Sequence, residues 1–203
     1  MKTVQLDNKT ITPNKIICIG RNYVDHIAEL GNEVPDEMVI FLKPNSAISE
    51  QLSAFHQEEL HYEGELSFIY QQGHFSAVGF GLDLTKRGLQ SKLKGKGLPW
   101  ERAKAFNGSA VFSDFVSIDN ISPDLTLALK IDNELIQAGG IELMMYKPDD
   151  ILKEIQSFME LQDGDIVMTG TPKGVGVIKS GAKFEAKVLQ DEIELISKTW
   201  IAV

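Results

Sequence analysis

The chain has one cysteine, Cys18, in 203 residues. A single thiol cannot form an internal disulfide, which excludes disulfide-stapled scaffolds and suits a reducing compartment. Cys18 lies in Ile16-Ile17-Cys18-Ile19, an apolar run that reads as burying a structural thiol and not a nucleophile. Long apolar stretches are missing too. None approaches the roughly 18 residues of a membrane span, and Met1-Lys2-Thr3 opens no signal-peptide core. The expectation is a cytoplasmic protein without a membrane partner. Positive charge is scarce: 20 Lys and Arg face 29 Asp and Glu, a net charge of -9. With no basic stripe, a nucleic-acid partner is not expected. Repeats, linkers and low-complexity segments are also absent from the sequence. What remains is ordinary globular composition, 43% hydrophobic and 24% charged, and one domain over 1–203 is expected.

Hydrophobic patterning predicts a strand-rich chain. Lys15 to Ile19 reads as a buried strand ending at Gly20, and Arg21 to Gly31 as a short helix stopped by Gly31. Val39 to Lys43 is a strand closed by Pro44. Gln51 to Glu59 is polar and reads as a loop. Strands follow at Gly64 to Tyr70 and Ala77 to Leu84, joined by Gln71-Gln72-Gly73-His74. Arg87 to Lys94 reads as a helix broken by Gly95, Gly97 and Pro99. Leu125 to Gln137 reads as a hairpin turning at Asp132-Asn133. Pro148 to Leu161 is a helix with Ile151, Ile155, Phe158 and Met159 at helical spacing. Asp165 to Met168 is a strand, and Ala182 to Ala202 a final hairpin.

The chemistry centres on His61-Tyr62-Glu63-Gly64-Glu65-Leu66. Alternate strand side chains share a face, so His61, Glu63 and Glu65 point one way. Two carboxylates there repel each other, and a hard divalent cation would offset the repulsion. Asp83 ends the next strand and becomes a third oxygen ligand if the two strands pair. Spacing alone is weak: the sequence has four acid-x-acid pairs, and chance gives about four.

Other residues carry a functional and a bland reading each. His26 and Glu29 share a helix face and make a proton-transfer pair or a solvated surface. Lys104 and Lys43 hold a substrate oxyanion or face water. Arg87 and Gln90, three apart, bind a carboxylate or solvent. The run Gly170 to Gly176 lacks the Gly-Lys-Ser/Thr ending of a phosphate loop and reads as a substrate-lining turn. His61 is expected to support the ligands, not to be one. His56 and His74 receive no role.

Taken in order, these blocks resemble the fumarylacetoacetate hydrolase family. They are Ile17-Cys18-Ile19-Gly20-Arg21-Asn22-Tyr23 with His26 and Glu29, Phe41-Leu42-Lys43-Pro44, the glutamate strand, Leu82-Asp83-Leu84-Thr85 with Arg87 and Gln90, Gly97-Leu98-Pro99-Trp100 with Lys104, and Gly164 to Pro172 with Gly174-Val175-Gly176. The small single-domain acylpyruvate hydrolase and oxaloacetate decarboxylase branch is the most similar. The resemblance implies an α+β, strand-rich fold: a rolled mixed β-sheet with a few short helices, in a homodimer. It implies Mg²⁺ (or Mn²⁺) on Glu63, Glu65 and Asp83, and catalytic roles for His26, Glu29 and Lys104. It implies substrate contacts at Arg21, Lys43, Arg87, Gln90, Thr169, Gly170 and Thr171. Two departures stand out: the Glu65–Asp83 connection is short and lacks a helix, and Gly88 replaces an acidic residue.

The implied substrate is a small 2-oxo acid. The implied reaction is metal-dependent hydrolysis of a carbon–carbon bond in acylpyruvates such as fumarylpyruvate or acetylpyruvate, through a pyruvate enolate. Decarboxylation of oxaloacetate and its keto–enol tautomerisation pass through the same kind of enolate and are the alternatives. A non-catalytic oxo-acid-binding protein and a structural divalent-ion domain are the rivals from other classes, and neither needs His26, Glu29 and Lys104.

Overall fold

A computed structural model of the chain describes residues 1–29 and 35–203. The expected helix stop at Gly31 lies outside them. The main sheet holds β1 (Lys15–Gly20), β2 (Val39–Pro44), β3 (Ile48–Ser49), β4 (Gly64–Gln71), β5 (His74–Asp83) and β6 (Ala110–Phe112). A second sheet holds β7 (Leu125–Ile131) and β8 (Glu134–Gly140); β9 (Ile166–Met168) returns to the main sheet; β10 (Lys183–Gln190) and β11 (Ile193–Ile201) complete the second. The helices are α1 (Val24–Glu29), α2 (Arg87–Lys94), α3 (Glu101–Lys104) and α4 (Pro148–Phe158). No helix of the described residues is long and apolar enough to cross a membrane.

The main sheet runs β2-β1-β9-β4-β5-β6-β3, with Val116–Ser117 also pairing β5. It is mixed: β1 and β9 are parallel, as are β6 and β3, and the other pairs are antiparallel. The sheet also rolls. Strands β2 and β5 are four spacings apart, roughly 19 Å if the sheet were flat. Yet Lys43 Nζ on β2 lies 2.8 Å from Asp83 Oδ1 on β5.

Strand direction places the site. The carboxyl ends of β1, β9 and β5 and the amino end of antiparallel β4 meet at one edge of the sheet. The second sheet, β8-β7-β10-β11, packs across the main one. Leu66, Phe68, Phe80 and Leu82 join Leu127, Leu129, Phe184 and Val188 in one core. Phe80 and Trp200 form a ring contact between the layers, and Tyr62, just before the main-sheet strand β4, packs its ring edge-on against Phe184 of the second sheet. Strands β4 and β5 are covered on their other face by a second cluster with Ile69, Ala77, Phe115 and Met168, which explains their nearly continuous apolar character.

Most expected elements are present, and several boundaries differ. The first helix begins at Val24 and not at Arg21, because Arg21 takes a left-handed backbone, φ 56°. The last helix ends at Phe158, three residues early, where Met159 turns extended. The polar stretch expected to be a loop contains a two-residue ladder, Phe55–His56 with Glu58–Glu59, turning at Gln57 with φ 67°. An amino-terminal hairpin, Val4–Leu6 with Lys9–Ile11, was not expected. Strands β4 and β5 connect by a tight Gln72-Gly73 turn, consistent with the short connection.

Candidate active site

Pairing of β4 with β5 sets Gly64 opposite Leu82, and Asp83 N donates to Glu63 O at 2.8 Å. One ligand-competent oxygen from each of Glu63, Glu65 and Asp83 therefore lies within 4.8 Å of the others, and all three residues are buried. Lysines approach from two sides. Lys104 Nζ sits 2.7 Å from Glu63 Oε2, 2.8 Å from Asp83 Oδ2 and 2.6 Å from Thr85 Oγ1. Lys43, wholly buried, donates to Lys104 O, to Ser109 O at 3.0 Å and to Ser109 Oγ at 3.1 Å. These acceptors engage its three N–H bonds. Asp83 Oδ1, although 2.8 Å from that ammonium, is left buried without a hydrogen bond.

That oxygen, in ionic contact with Lys43 but without a hydrogen bond, tests whether the residues fit a metal. A buried carboxylate oxygen lacking a donor is costly unless a cation takes its lone pairs. The donor set is all carboxylate, which suits a hard ion such as Mg²⁺ or Mn²⁺ and not a thiolate- or imidazole-seeking one. Titration behaviour agrees. Burial raises the Glu65 carboxyl well above its usual range, and Asp83 and Glu63 raise it further. Burial also opposes charge on Glu63, but Lys104 and Arg87 outweigh it and hold that carboxyl well below its usual range. Burial works against the Lys104 ammonium, yet Asp83 and Glu63 reverse the effect and raise it. The triad and its lysines fit a divalent cation.

Around the triad lies a narrow cleft of about 40 Å³. Arg21, His26, Arg87, Gln90, Lys104 and Thr171 line it, so the structure brings these predicted residues together. Arg87 pairs with Glu63 and donates to Gln90 Oε1 at 3.0 Å. His26 Nδ1 lies 3.2 Å from Glu29 Oε2. Glu29 accepts in turn from Gly174 N–H at 3.0 Å, which ties α1 to the glycine run. Gly174 has φ 100°, and a Cβ there would lie 2.2 Å from Ile136 O, so this turn requires glycine.

Three predicted substrate contacts stand behind the cleft and are not among its lining residues. Lys43 holds Lys104 and Asp83 in place, as described. Thr169 Oγ1 donates to Leu66 O at 2.9 Å. Gly170 N donates to Glu65 Oε2 at 2.8 Å, with φ 95°. Thr171 does line the cleft, but its hydroxyl donates to Gly64 O at 2.9 Å. His61 also stays outside the lining; burial and Arg87 lower its proton affinity.

Sequence reasoning missed Gln137. This wholly buried residue on β8 accepts from Gly64 N at 2.9 Å and donates to Thr171 Oγ1 and Pro172 O, both at 2.9 Å. It thereby clamps the glutamate strand to the threonine turn. Asn22 acts similarly: it joins Thr169 O and both backbone polar groups of Tyr146. A lone amide in a strand gives no sequence signal. Thr85, Ser109, Lys94 and Trp100 were also unassigned, although Thr85 and Trp100 lie inside the quoted blocks.

The family model for the fumarylacetoacetate (FAA) hydrolase C-terminal region matches residues 15–196. The chain belongs to this family. Curated relatives include the oxaloacetate tautomerase FAHD1, mitochondrial, of Bos taurus, 36% identical over 191 residues that cover 85% of this chain and 86% of the relative. Oxaloacetate tautomerase YcgM of Escherichia coli is 36% identical over 186 residues, covering 83% and 85%. Among solved structures, fumarylpyruvate hydrolase from Pseudomonas aeruginosa in complex with Mn²⁺ and pyruvate superposes with a TM-score of 0.89 at 26% identity, covering 100% of this chain and 95% of that one. A yeast fumarylacetoacetate hydrolase family protein, ynq8, gives 0.80 at 30% identity, covering 94% and 93%.

Proposed function

We propose that the protein is a divalent-metal-dependent enzyme of small 2-oxo acids, and that its reaction is keto–enol tautomerisation of oxaloacetate. The carrying observation is the Lys104 ammonium, held by Glu63 and Asp83 at the floor of a cleft that His26 also lines. The relatives named oxaloacetate tautomerase support the choice of reaction. A cation held by Glu63, Glu65 and Asp83 supplies Lewis acidity toward the substrate's 2-oxo group.

The chain's own residues supply the rest. Glu29 accepts from His26 Nδ1–H, leaving Nε2 as the base that takes a proton from substrate C3. Negative charge then develops on the 2-oxo oxygen, where Lys104 stabilises it. Return of the proton to that oxygen gives the enol, so nothing is consumed. Gln90 and Arg87 orient the carboxylate, and the Thr171 turn closes one wall.

A second reading is acylpyruvate hydrolysis. The His26–Glu29 pair favours it, because such a pair also activates water, and the fumarylpyruvate hydrolase neighbour supports it. A cytosolic homodimer belongs to the same proposal, and sedimentation of the full chain tests the dimer. The deciding experiment follows decay of enol-oxaloacetate absorbance with Mg²⁺ or Mn²⁺ and with a chelator, beside an acylpyruvate cleavage assay. Metal-dependent decay above the buffer rate is expected. No acceleration by the metal-loaded protein overturns the tautomerase reading, and cleavage in the same sample would establish the second.

A further inference from the structure

Asn22 stands between β1 and α1 and is wholly buried. Its amide nitrogen donates to Thr169 O at 2.9 Å and to Tyr146 O at 3.0 Å, and its Oδ1 accepts from Tyr146 N at 2.7 Å. Its backbone carbonyl accepts from Met145 N at 2.8 Å. One residue therefore joins three segments: the entry to α1, the chain ahead of α4 and the turn after β9. These segments are not fastened equally. The turn is held to β4 without Asn22, because Thr169 N and Oγ1 both donate to Leu66 O, Gly170 N to Glu65 Oε2 and Thr171 Oγ1 to Gly64 O. Helix α1 has less of its own. It is six residues long, well short of the roughly 12 at which an isolated helix becomes even marginal, and it buries only His26 and Ile27. Among the described residues, Glu29 ties its far end to Gly174 N, and the Asp25–Lys173 pair is solvent-exposed and weak. Its amino end is anchored in the interior by Asn22 and by Tyr23, which bridges Met144.

We propose that Asn22 is a positioning residue: it pins α1 against the Thr169 turn and so fixes His26 relative to the carboxylate triad. The inference rests on the preceding reading of His26 as the base. An asparagine suits the task, because the place requires two N–H donors and an acceptor on one short planar group. Aspartate offers no donor when ionised, and serine offers one. With the amide cut away, the turn keeps its own bonds to β4 and continues to orient Glu65, while α1 gains freedom. The triad then keeps its metal and the base loses its aim.

The test compares Asn22→Ala and Asn22→Ser with the parent, each as the full chain. Hydrogen exchange should quicken by about tenfold at residues 24–29 and stay unchanged at residues 64–71. Mn²⁺ affinity, measured by titration without substrate, should stay within about twofold. Oxaloacetate tautomerisation at saturating Mn²⁺ should fall by about 10²-fold, the cost of a base misplaced by about 1 Å, and decarboxylation much less. The ratio of these two rates in one sample does not depend on how much protein is folded, so lower stability cannot mimic the effect. Asn22→Ser, which can keep one donated bond, should recover part of the loss, and it carries the measurement if Asn22→Ala does not fold. In a His26→Ala background the Asn22 substitution should remove less than about twofold more. Equal losses in both reactions, a full further loss in that background, or unchanged exchange at residues 24–29 overturns the positioning role. If His26→Ala alone keeps the parent's tautomerisation rate, the earlier reading of the base fails instead, and the exchange data still decide whether Asn22 anchors α1.

Discussion

The Lys104 ammonium lies 2.8 Å from Asp83 Oδ2, on the carboxylate whose other oxygen takes no hydrogen bond. One oxygen is thus hydrogen-bonded by Lys104, and the other has only its ionic contact with Lys43 and can still accept a metal cation. This division of labour predicts how Lys104→Met behaves. Removing the ammonium leaves Glu63 and Asp83 undercompensated, and breaking a buried pair costs roughly 3–5 kcal/mol. A bound cation makes up part of that loss, so the melting temperature of metal-stripped protein should fall further than that of Mn²⁺-loaded protein. Turnover should drop about 10²-fold, as for other lost oxyanion donors, with no weakening of Mn²⁺ affinity. Kinetics equal to the parent's would make Lys104 a bystander.

Glu65 gives a pH prediction. Its folded-state carboxyl is raised above the ordinary 4.5, by burial first and by Asp83 and Glu63 next. Between 4.5 and the raised value, the folded metal-stripped protein binds a proton that the unfolded chain does not. Stability should therefore fall as pH rises through that window. Glu63 works in the opposite sense: its carboxyl is lowered, so its contribution is present above 4.5 and is lost only as pH falls below it. A cation needs Glu65 ionised, so metal binding should expel its proton and tighten with rising pH. Calorimetry in two buffers of different ionisation heat measures the release, and Glu65→Gln should abolish it. Affinity independent of pH would refute the assignment.

Gln137→Leu tests the clamp between the two walls. It strands Gly64 N–H and two oxygens in a buried place, at about 1–3 kcal/mol for each unsatisfied group. Urea denaturation should show a loss of at least about 2 kcal/mol with an unchanged slope. A loss below about 0.5 kcal/mol, the range of neutral surface changes, would mean that the clamp does not matter.

These residues also mark where the sequence is legible. Glu63, Glu65 and Asp83 could be read because strand alternation and the pairing of adjacent strands are local rules. The Asp132-Asn133 hairpin is legible for the same reason: both residues tolerate the positive φ of 50° and 71° that they adopt. Lys43 could be noticed but not placed, because its contact with Asp83 depends on the roll of the whole sheet. Gln137 was invisible, since its partners lie 73 residues before it and 34 after. Thr169 and Thr171 look equivalent in sequence. Only the turn at Gly170 sends the first hydroxyl to Leu66 O and the second side chain to the cleft.

The His26–Glu29 pair separates the reactions that one site could perform. Hydrolysis of an acylpyruvate needs an activated water, and tautomerisation needs a base at substrate C3. Decarboxylation of oxaloacetate needs neither, because the departing CO₂ leaves its electron pair directly in the enolate. His26→Ala should therefore lose tautomerisation and acylpyruvate cleavage by roughly 10²–10⁴-fold, the range of a general base, while decarboxylation falls much less. Glu29→Gln should follow the same order more mildly, since Glu29 orients the imidazole and does not itself take the proton. Glu29 also anchors Gly174 N–H, so part of its effect comes through the glycine run. Gly174→Ala separates that part: at φ 100° with Ile136 O in the way, it disturbs the anchor while His26 and Glu29 both remain. Rates of all three reactions for the three variants, at saturating Mn²⁺, provide the comparison. Equal losses in every reaction for His26→Ala would remove its role as base and leave it a structural residue. Retained hydrolysis with lost tautomerisation would place activation of the water elsewhere.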